Sequence, residues 1–399
     1  VARFLFVVPP FTGHVNPTLA VAAELEGRGH EVAWTGVPGT TEDLLPAGAT
    51  FVSAVSPEVA AYVAEVGERR DDARGASAFK FLMTEVLLPL ADHMVDGVDA
   101  AVTSFGADVL VVDQQALAGA VVGRRRSMRW ATSATTSAEL VDPLAGLPKV
   151  AEELHRLRVD LQRRHGVPAP VAEEGDLRLS PHLVLAYTVE ELTGSLAGTP
   201  AGDVPVAFVG PSAGARPAAA AFPWERLSAQ GPNVLVSLGT LNAEAGARFW
   251  AAAAEAFAAR PDWTGVLVAP DELVADPPSN VIVARRVPQL ELLPRMDAVV
   301  SHAGHNTVCE SLACGLPLVL APIRDDQPVV ADQVVRAGAG VRVKFARVRA
   351  EHLVDGVERA LTDPDLRGAA ERLRVALADA GGPPAAAERL EELAGRPTA

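Results

Sequence analysis

Cysteine is nearly absent from this chain: two residues, Cys309 and Cys314, in 399. So few exclude a disulfide framework and fit a reducing cytoplasm; flanking one predicted helix, both read as small core side chains. No apolar run approaches the roughly 20 residues of a membrane-spanning helix. The opening FLFVVPP is short and lacks the basic start and cleavage site of a signal peptide, so it reads as a strand. Positive charge is also scarce, with 35 Lys and Arg against 50 Asp and Glu and a formal net charge of −15. That balance argues against nucleic acid or an anionic membrane as a partner. Any anionic ligand must then be held by local donors against the field of the whole chain. The nine histidines offer no close pair at metal-ligand spacing, and there is neither a P-loop nor an internal repeat.

What is present is an alternation of buried strands and helices. Hydrophobic residues make up 49% of the chain, and 399 residues exceed what one compact core accommodates. Arg3 to Val8 is an apolar strand, PPFTGHVNP a loop, Pro17 to Arg28 a helix and His30 to Trp34 a second strand. ADVLVVD, ending at Asp113, is another buried strand, followed by a helix that ends in the basic run Arg124–Arg126, expected to be solvated surface. The pattern is that of an α/β chain with doubly wound domains. VPVAFVG closes a first domain over residues 1–210, the Pro/Ala/Gly-rich stretch 211–222 is a linker, and NVLVSLGT restarts the pattern in a second domain over 223–380. Residues 381–399 form a last helix and a frayed end.

The stretch from Arg286 to Gln327, RVPQLELLPRMDAVVSHAGHNTVCESLACGLPLVLAPIRDDQ, carries the chemistry. It reads as a short helix, a strand, a helix and a second strand. A strand that ends in His-x-Gly-x-Asn-Thr and enters a helix sets backbone N–H groups and polar side chains at a helix N-terminus, a ready anion site. Polar residues recur at the turn points: His302, Gly304, Asn306 and Thr307, then Glu310, then Asp326 and Gln327. Any one of them alone is an ordinary cap. Together, in this order and spacing, they resemble the nucleotide-sugar signature of family 1 glycosyltransferases.

That resemblance implies the GT-B fold, two Rossmann-like domains facing a central cleft, with the last helix crossing back to the first domain. It implies that His302 binds the α-phosphate and Glu310 the ribose hydroxyls, while Asp326 and Gln327 hold the transferred sugar. Gly304, Asn306, Thr307 and the SLGT loop residues Ser237, Gly239 and Thr240 would complete the diphosphate site. Arg286, Val287 and Gln289 would bind the base. Arg286 departs from the family's usual aromatic here, and a guanidinium plane also stacks, which leaves UDP and TDP both open. No cofactor or metal is implied. Asp363-Pro364-Asp365 matches the Asp-x-Asp of metal-dependent transferases but sits at a helix start, where carboxylates offset the dipole.

In the first domain His14 follows the first strand. Alone it reads as part of a helix start; beside the donor signature it resembles the family's general base, and Asp113 the carboxylate that orients it. The acceptor wall is expected in the least regular stretch, Ser56 to Met94, from Tyr62, Phe79, Phe81 and Met83, with Trp130 and the Thr132–Thr136 run nearby. The expected protein is a cytoplasmic, metal-independent inverting glycosyltransferase that moves a sugar from a UDP- or TDP-sugar to a hydroxyl of a lipophilic, antibiotic-type natural product, similar to actinobacterial enzymes. It would act on small molecules, with no nucleic acid partner and no membrane insertion, as a monomer or homodimer. A nucleotide-sugar 2-epimerase and a non-catalytic sugar-nucleotide-binding auxiliary protein are the alternatives.

Overall fold

A computed structural model describes residues 1–61, 76–141, 144, 146–174, 176–214, 221–239 and 246–395. Its contacts divide the chain into two units. One comprises Val1–Tyr187, Ser195–Pro217 and Gly381–Ala399; the other comprises Thr188–Gly194 and Ala218–Ala380. The division differs from the expected one at Thr188–Gly194. The short helix Glu190–Thr193 packs on helices Gln327–Arg336 and Pro364–Asp379, which ties this stretch to the second unit.

The first unit is a seven-stranded sheet: β1 (Arg3–Val7), β2 (Glu31–Gly36), β3 (Phe51–Ser53), β4 (Val109–Asp113), β5 (Trp130–Ala134), β6 (Val184–Ala186) and β7 (Val206–Phe208). All pairings are parallel, in the order β3-β2-β1-β4-β5-β6-β7. Parallel strands covered on both faces need apolar residues on both, which is why RFLFV and VLVVD read as continuous runs. Leu5, Val7, Leu110 and Val112 meet helices α2 (Leu88–Phe105) and α3 (Leu117–Arg125) on one face. Phe4, Phe6, Val109 and Val111 meet helix α1 (Thr12–Gly27) on the other.

Helix α1 begins five residues earlier than the sequence suggests. Phe11 is extended and caps it, and its carbonyl accepts from the amides of His14 and Val15. Pro17 therefore lies inside the helix, where it withholds only the N–H that would meet the Gly13 carbonyl. His14 is thus fixed in a first helical turn rather than in a loop. The Arg124–Arg126 run is also not simply solvated. Arg124 donates to Gln162 and to the carbonyls of Val171 and Glu174, and Arg126 pairs with Asp99 at 2.5 and 2.7 Å.

The second unit is a six-stranded parallel sheet: β8 (Asn233–Ser237), β9 (Thr264–Val268), β10 (Val281–Ala284), β11 (Ala298–Ser301), β12 (Leu318–Leu320) and β13 (Gly340–Arg342), in the order β10-β9-β8-β11-β12-β13. Helix α4 (Ala247–Ala258) covers one face with Phe249, Trp250 and Phe257. Helix α5 (His305–Ala313) follows β11, and α6 (Gln327–Arg336) follows β12. The final helix, α7 (Gly382–Leu393), belongs to the first unit. Ala386, Ala387 and Leu390 enter the α1 core, and Glu391 accepts from His30 Nε2 and Arg28 Nη1, both at 2.8 Å. Among the described residues no helix is long and apolar enough to cross a membrane.

Candidate active site

Each sheet reverses its strand order once, between β1 and β4 in the first unit and between β8 and β11 in the second. Beyond the carboxyl ends of such a strand pair the connecting loops diverge and leave a crevice where ligands bind. His14, Asp113, Ser237 and His302 follow or end these four strands, while Asp326 and Gln327 follow the neighbouring β12.

In the first unit α1 carries His14 and the end of β4 carries Asp113. His14 Nδ1 lies 3.0 Å from both carboxylate oxygens of Asp113. A carboxylate can only accept, so Nδ1 carries a proton. Asp113 is 1% exposed, and its remaining acceptor capacity is taken up. Oδ1 accepts the backbone N–H of Gln115 at 2.8 Å and Oδ2 accepts the Thr135 hydroxyl at 2.8 Å. Thr135 Oγ1 also stands 2.8 Å from His14 Nδ1. Thr135 was expected only as part of an acceptor wall. The pairing of β4 with β5 sets Ser133 opposite Asp113, and the chain just past it delivers Thr135 to the carboxylate.

In the second unit Ser237 ends β8 and His302 follows β11, with Ser301 opposite Ser237 in the register. The His302 imidazole is packed between two glycines. A Cβ on Gly239 would come within 2.7 Å of the ring and one on Gly304 within 2.5 Å, so neither position admits a side chain without displacing it. His302 is 8% exposed; burial pushes its pKa down to about 4, with hydrogen bonding to the Ser237 backbone opposing, and the ring is neutral at pH 7. Its Nδ1 has no hydrogen-bond partner among the described residues. Ala303, between His302 and Gly304, is held at φ 70°, a left-handed conformation that costs a non-glycine residue about 1 kcal/mol or more. Asp325, beside Asp326, is likewise at φ 56°.

Helix α5 starts at the Gly304 cap. Its own ladder begins with Val308 N–H donating to the Gly304 carbonyl at 3.0 Å, so the amides of residues 305–307 precede it. That turn carries Asn306 and Thr307, with Glu310 one turn on. Gln289 Nε2 donates to Glu310 Oε2 at 2.6 Å, which joins two side chains assigned to the base and ribose. Asp326 caps α6, and Gln327 Oε1 accepts the amides of Ile323 (2.9 Å) and Arg324 (3.2 Å), which shapes the loop and leaves the Gln327 Nε2 as its donor.

A family model described as the C-terminal domain of erythromycin biosynthesis protein CIII-like proteins matches residues 266–393. Along nearly its whole length the chain is 32% identical to 4'-demethylrebeccamycin synthase of Lentzea aerocolonigenes, over 94% of this chain and 95% of that one. It is 30% identical to demethyllactenocin mycarosyltransferase of Streptomyces fradiae, over 98% and 86% respectively. The chain belongs to the family 1 glycosyltransferases. A solved calicheamicin glycosyltransferase, CalG4, matches with a TM-score of 0.78 at 25% identity, covering 100% of this chain and 99% of its own, which establishes the GT-B fold. The protein is a glycosyltransferase of the antibiotic, natural-product type.

Not every residue assigned to the glycosyltransferase site sits where expected. Tyr62 and Thr240 lie outside the described residues. Met83 and Trp130, 2% and 1% exposed, are members of the hydrophobic core and present no surface to an acceptor. Both large side chains were candidates because bulk and polarisability suit a pocket wall, and the same properties fill a core. Phe79 and Phe81 are half-buried against that core, and the π-helical turn Leu82–Leu87 follows them. Arg286 is exposed and Val287 half-buried, just ahead of Gln289. Asp363 is a helix cap, accepting from the amides of Asp365 and Leu366, as its position in the sequence suggests. Cys309 is buried with its thiol pushed up to about 12, an inert core side chain.

Proposed function

We propose that this glycosyltransferase transfers a sugar, with inversion, from a UDP- or TDP-sugar to a hydroxyl of a lipophilic natural product, with His14 as the general base. The observation that carries this reading is the His14–Asp113–Thr135 constellation. With Nδ1–H given to Asp113, His14 Nε2 is a neutral base suited to pH 7, and the buried carboxylate stabilises the imidazolium that forms. The acceptor O–H bond breaks toward Nε2 while the oxygen bonds the anomeric carbon from the face opposite the departing diphosphate.

The leaving group is served by the second unit. A neutral His302, the Ser237 hydroxyl, Asn306, Thr307 and the first-turn amides of α5 supply donors and the positive end of a helix dipole, an arrangement suited to a diphosphate without a metal. Glu310 and Gln289 bind the ribose and the base with Val287 and Arg286, and Asp326 with Gln327 Nε2 binds the sugar. Phe79 and Phe81 supply part of the acceptor wall. The protein works in the cytoplasm as a monomer or homodimer. A base oriented by a buried carboxylate counts against a non-catalytic auxiliary role, and near-full-length likeness to transferases counts against a 2-epimerase.

The test is an EDTA-treated reaction with α-linked UDP- and TDP-sugars and aromatic or polyketide acceptors, the product read by mass spectrometry and its anomeric configuration by NMR. A β-glycoside formed at the untreated rate is expected. An α-glycoside, or activity lost to EDTA and restored by magnesium, contradicts the proposal.

A further inference from the structure

Behind the dyad the first unit holds a chain of buried and half-buried charged groups that the transfer step does not use. Gln115, whose backbone holds Asp113, extends its side chain away from it and donates to Glu139 Oε1 at 3.1 Å. Glu139, 5% exposed, ends the short turn Ser137–Glu139 after β5. Its Oε2 has no hydrogen bond among the described residues and faces Arg178 Nη1 at 3.5 Å. Arg178 is buried as well and is clamped by Asp176, Nε lying 3.0 and 2.9 Å from the two carboxylate oxygens; Arg158 Nη1 stands 3.5 Å from the same group.

A buried ion pair is poor value as a stabiliser, since apolar side chains of equal volume commonly do as well or better. The arrangement makes more sense as part of the site. The carboxylates of Glu139 and Asp176 face the guanidinium groups of Arg178 and Arg158, and Asp113 joins them through Gln115. An ionised Glu139 sets a negative charge within electrostatic reach of the ring that becomes the imidazolium. Burial pushes the Glu139 carboxyl up; Arg178 and the Gln115 hydrogen bond oppose this, Asp113 adds to it and His14 pulls it down, so Glu139 and the dyad sense one another.

We propose that Glu139 is a positioning residue for transfer: through Gln115 it fixes the amide that holds Asp113, and its charge favours the imidazolium that His14 becomes. Glu139 itself neither gains nor loses a proton in the cycle. The acceptor proton goes to His14 Nε2 and the electron pair of the broken sugar–oxygen bond leaves with the diphosphate. The inference rests on His14 being the base.

The experiment is an NMR titration of the His14 ring in the full-length chain without substrate, the signal assigned by its loss in His14→Gln. Removing a nearby negative charge destabilises the imidazolium, so Glu139→Gln should lower the His14 midpoint by about half a pH unit or more. Gln115→Met keeps the backbone bond to Asp113 but removes the donor that favours ionised Glu139, and should shift the midpoint the same way by less. It also carries the test if Glu139→Gln does not fold. An unmoved midpoint in folded variants, with circular dichroism and the other histidine signals as in wild type, overturns the inference. Near-normal turnover of His14→Ala would instead overturn the base reading on which it stands.

Discussion

The hydroxyl of Thr135 donates to Asp113 Oδ2 at 2.8 Å, so the buried carboxylate is gripped from the β5 side as firmly as from its own chain. Thr135→Val conserves shape and removes the hydroxyl, both the donor to Oδ2 and the oxygen 2.8 Å from His14 Nδ1. It leaves Oδ2 of the 1% exposed Asp113 with only the His14 ring, at 3.0 Å, and a hydrogen bond to a charged group contributes about 1.5–3 kcal/mol. Turnover is expected to fall about 10-fold, with nucleotide affinity by calorimetry unchanged. Wild-type turnover would show that Asp113 needs no such clamp.

His302 supplies a pH signature of its own. Its folded pKa, about 4, lies below the ordinary histidine value of 6.5, so the unfolded chain binds the proton more readily. Stability owed to this group is present above pH 6.5 and is lost as pH falls toward 4. Between pH 7 and pH 5 the loss is about 2 kcal/mol. Denaturant unfolding should show it in wild type and not in His302→Gln; parallel curves for the two proteins would contradict the buried, neutral imidazole.

Much of this was legible in the sequence, and what was not depended on contacts between distant segments. Continuous apolar runs announced parallel strands, and the spacing from His302 to Gln327 announced the family, because loop chemistry is local. Thr135 was seen only as wall material, since its bond to Asp113 follows from β4 and β5 being neighbours, which no local pattern states. The left-handed Ala303 and Asp325 carry no side-chain signal for that conformation. Trp130 shows the converse: nothing local distinguishes an aromatic that lines a pocket from one that fills a core.

Trp130 therefore gives a third expectation. Its indole is buried against Gly123, where a Cβ on the glycine would come within 3.0 Å of the ring. Trp130→Ala should destabilise the first unit by about 3–5 kcal/mol and leave the ranking of acceptors among surviving molecules unchanged. Phe79→Ala and Phe81→Ala, at half-buried positions, should alter that ranking while donor binding is kept. An altered ranking in Trp130→Ala with unchanged stability would restore Trp130 to the acceptor wall.

The most direct measurement is steady-state turnover of His14→Ala at pH 7 beside its affinity for the nucleotide diphosphate. With the base gone and the second unit untouched, turnover should fall about 100-fold or more while diphosphate affinity stays within about twofold of wild type. Turnover close to wild type would contradict the assignment of His14, and with it the account of how the first unit activates the acceptor.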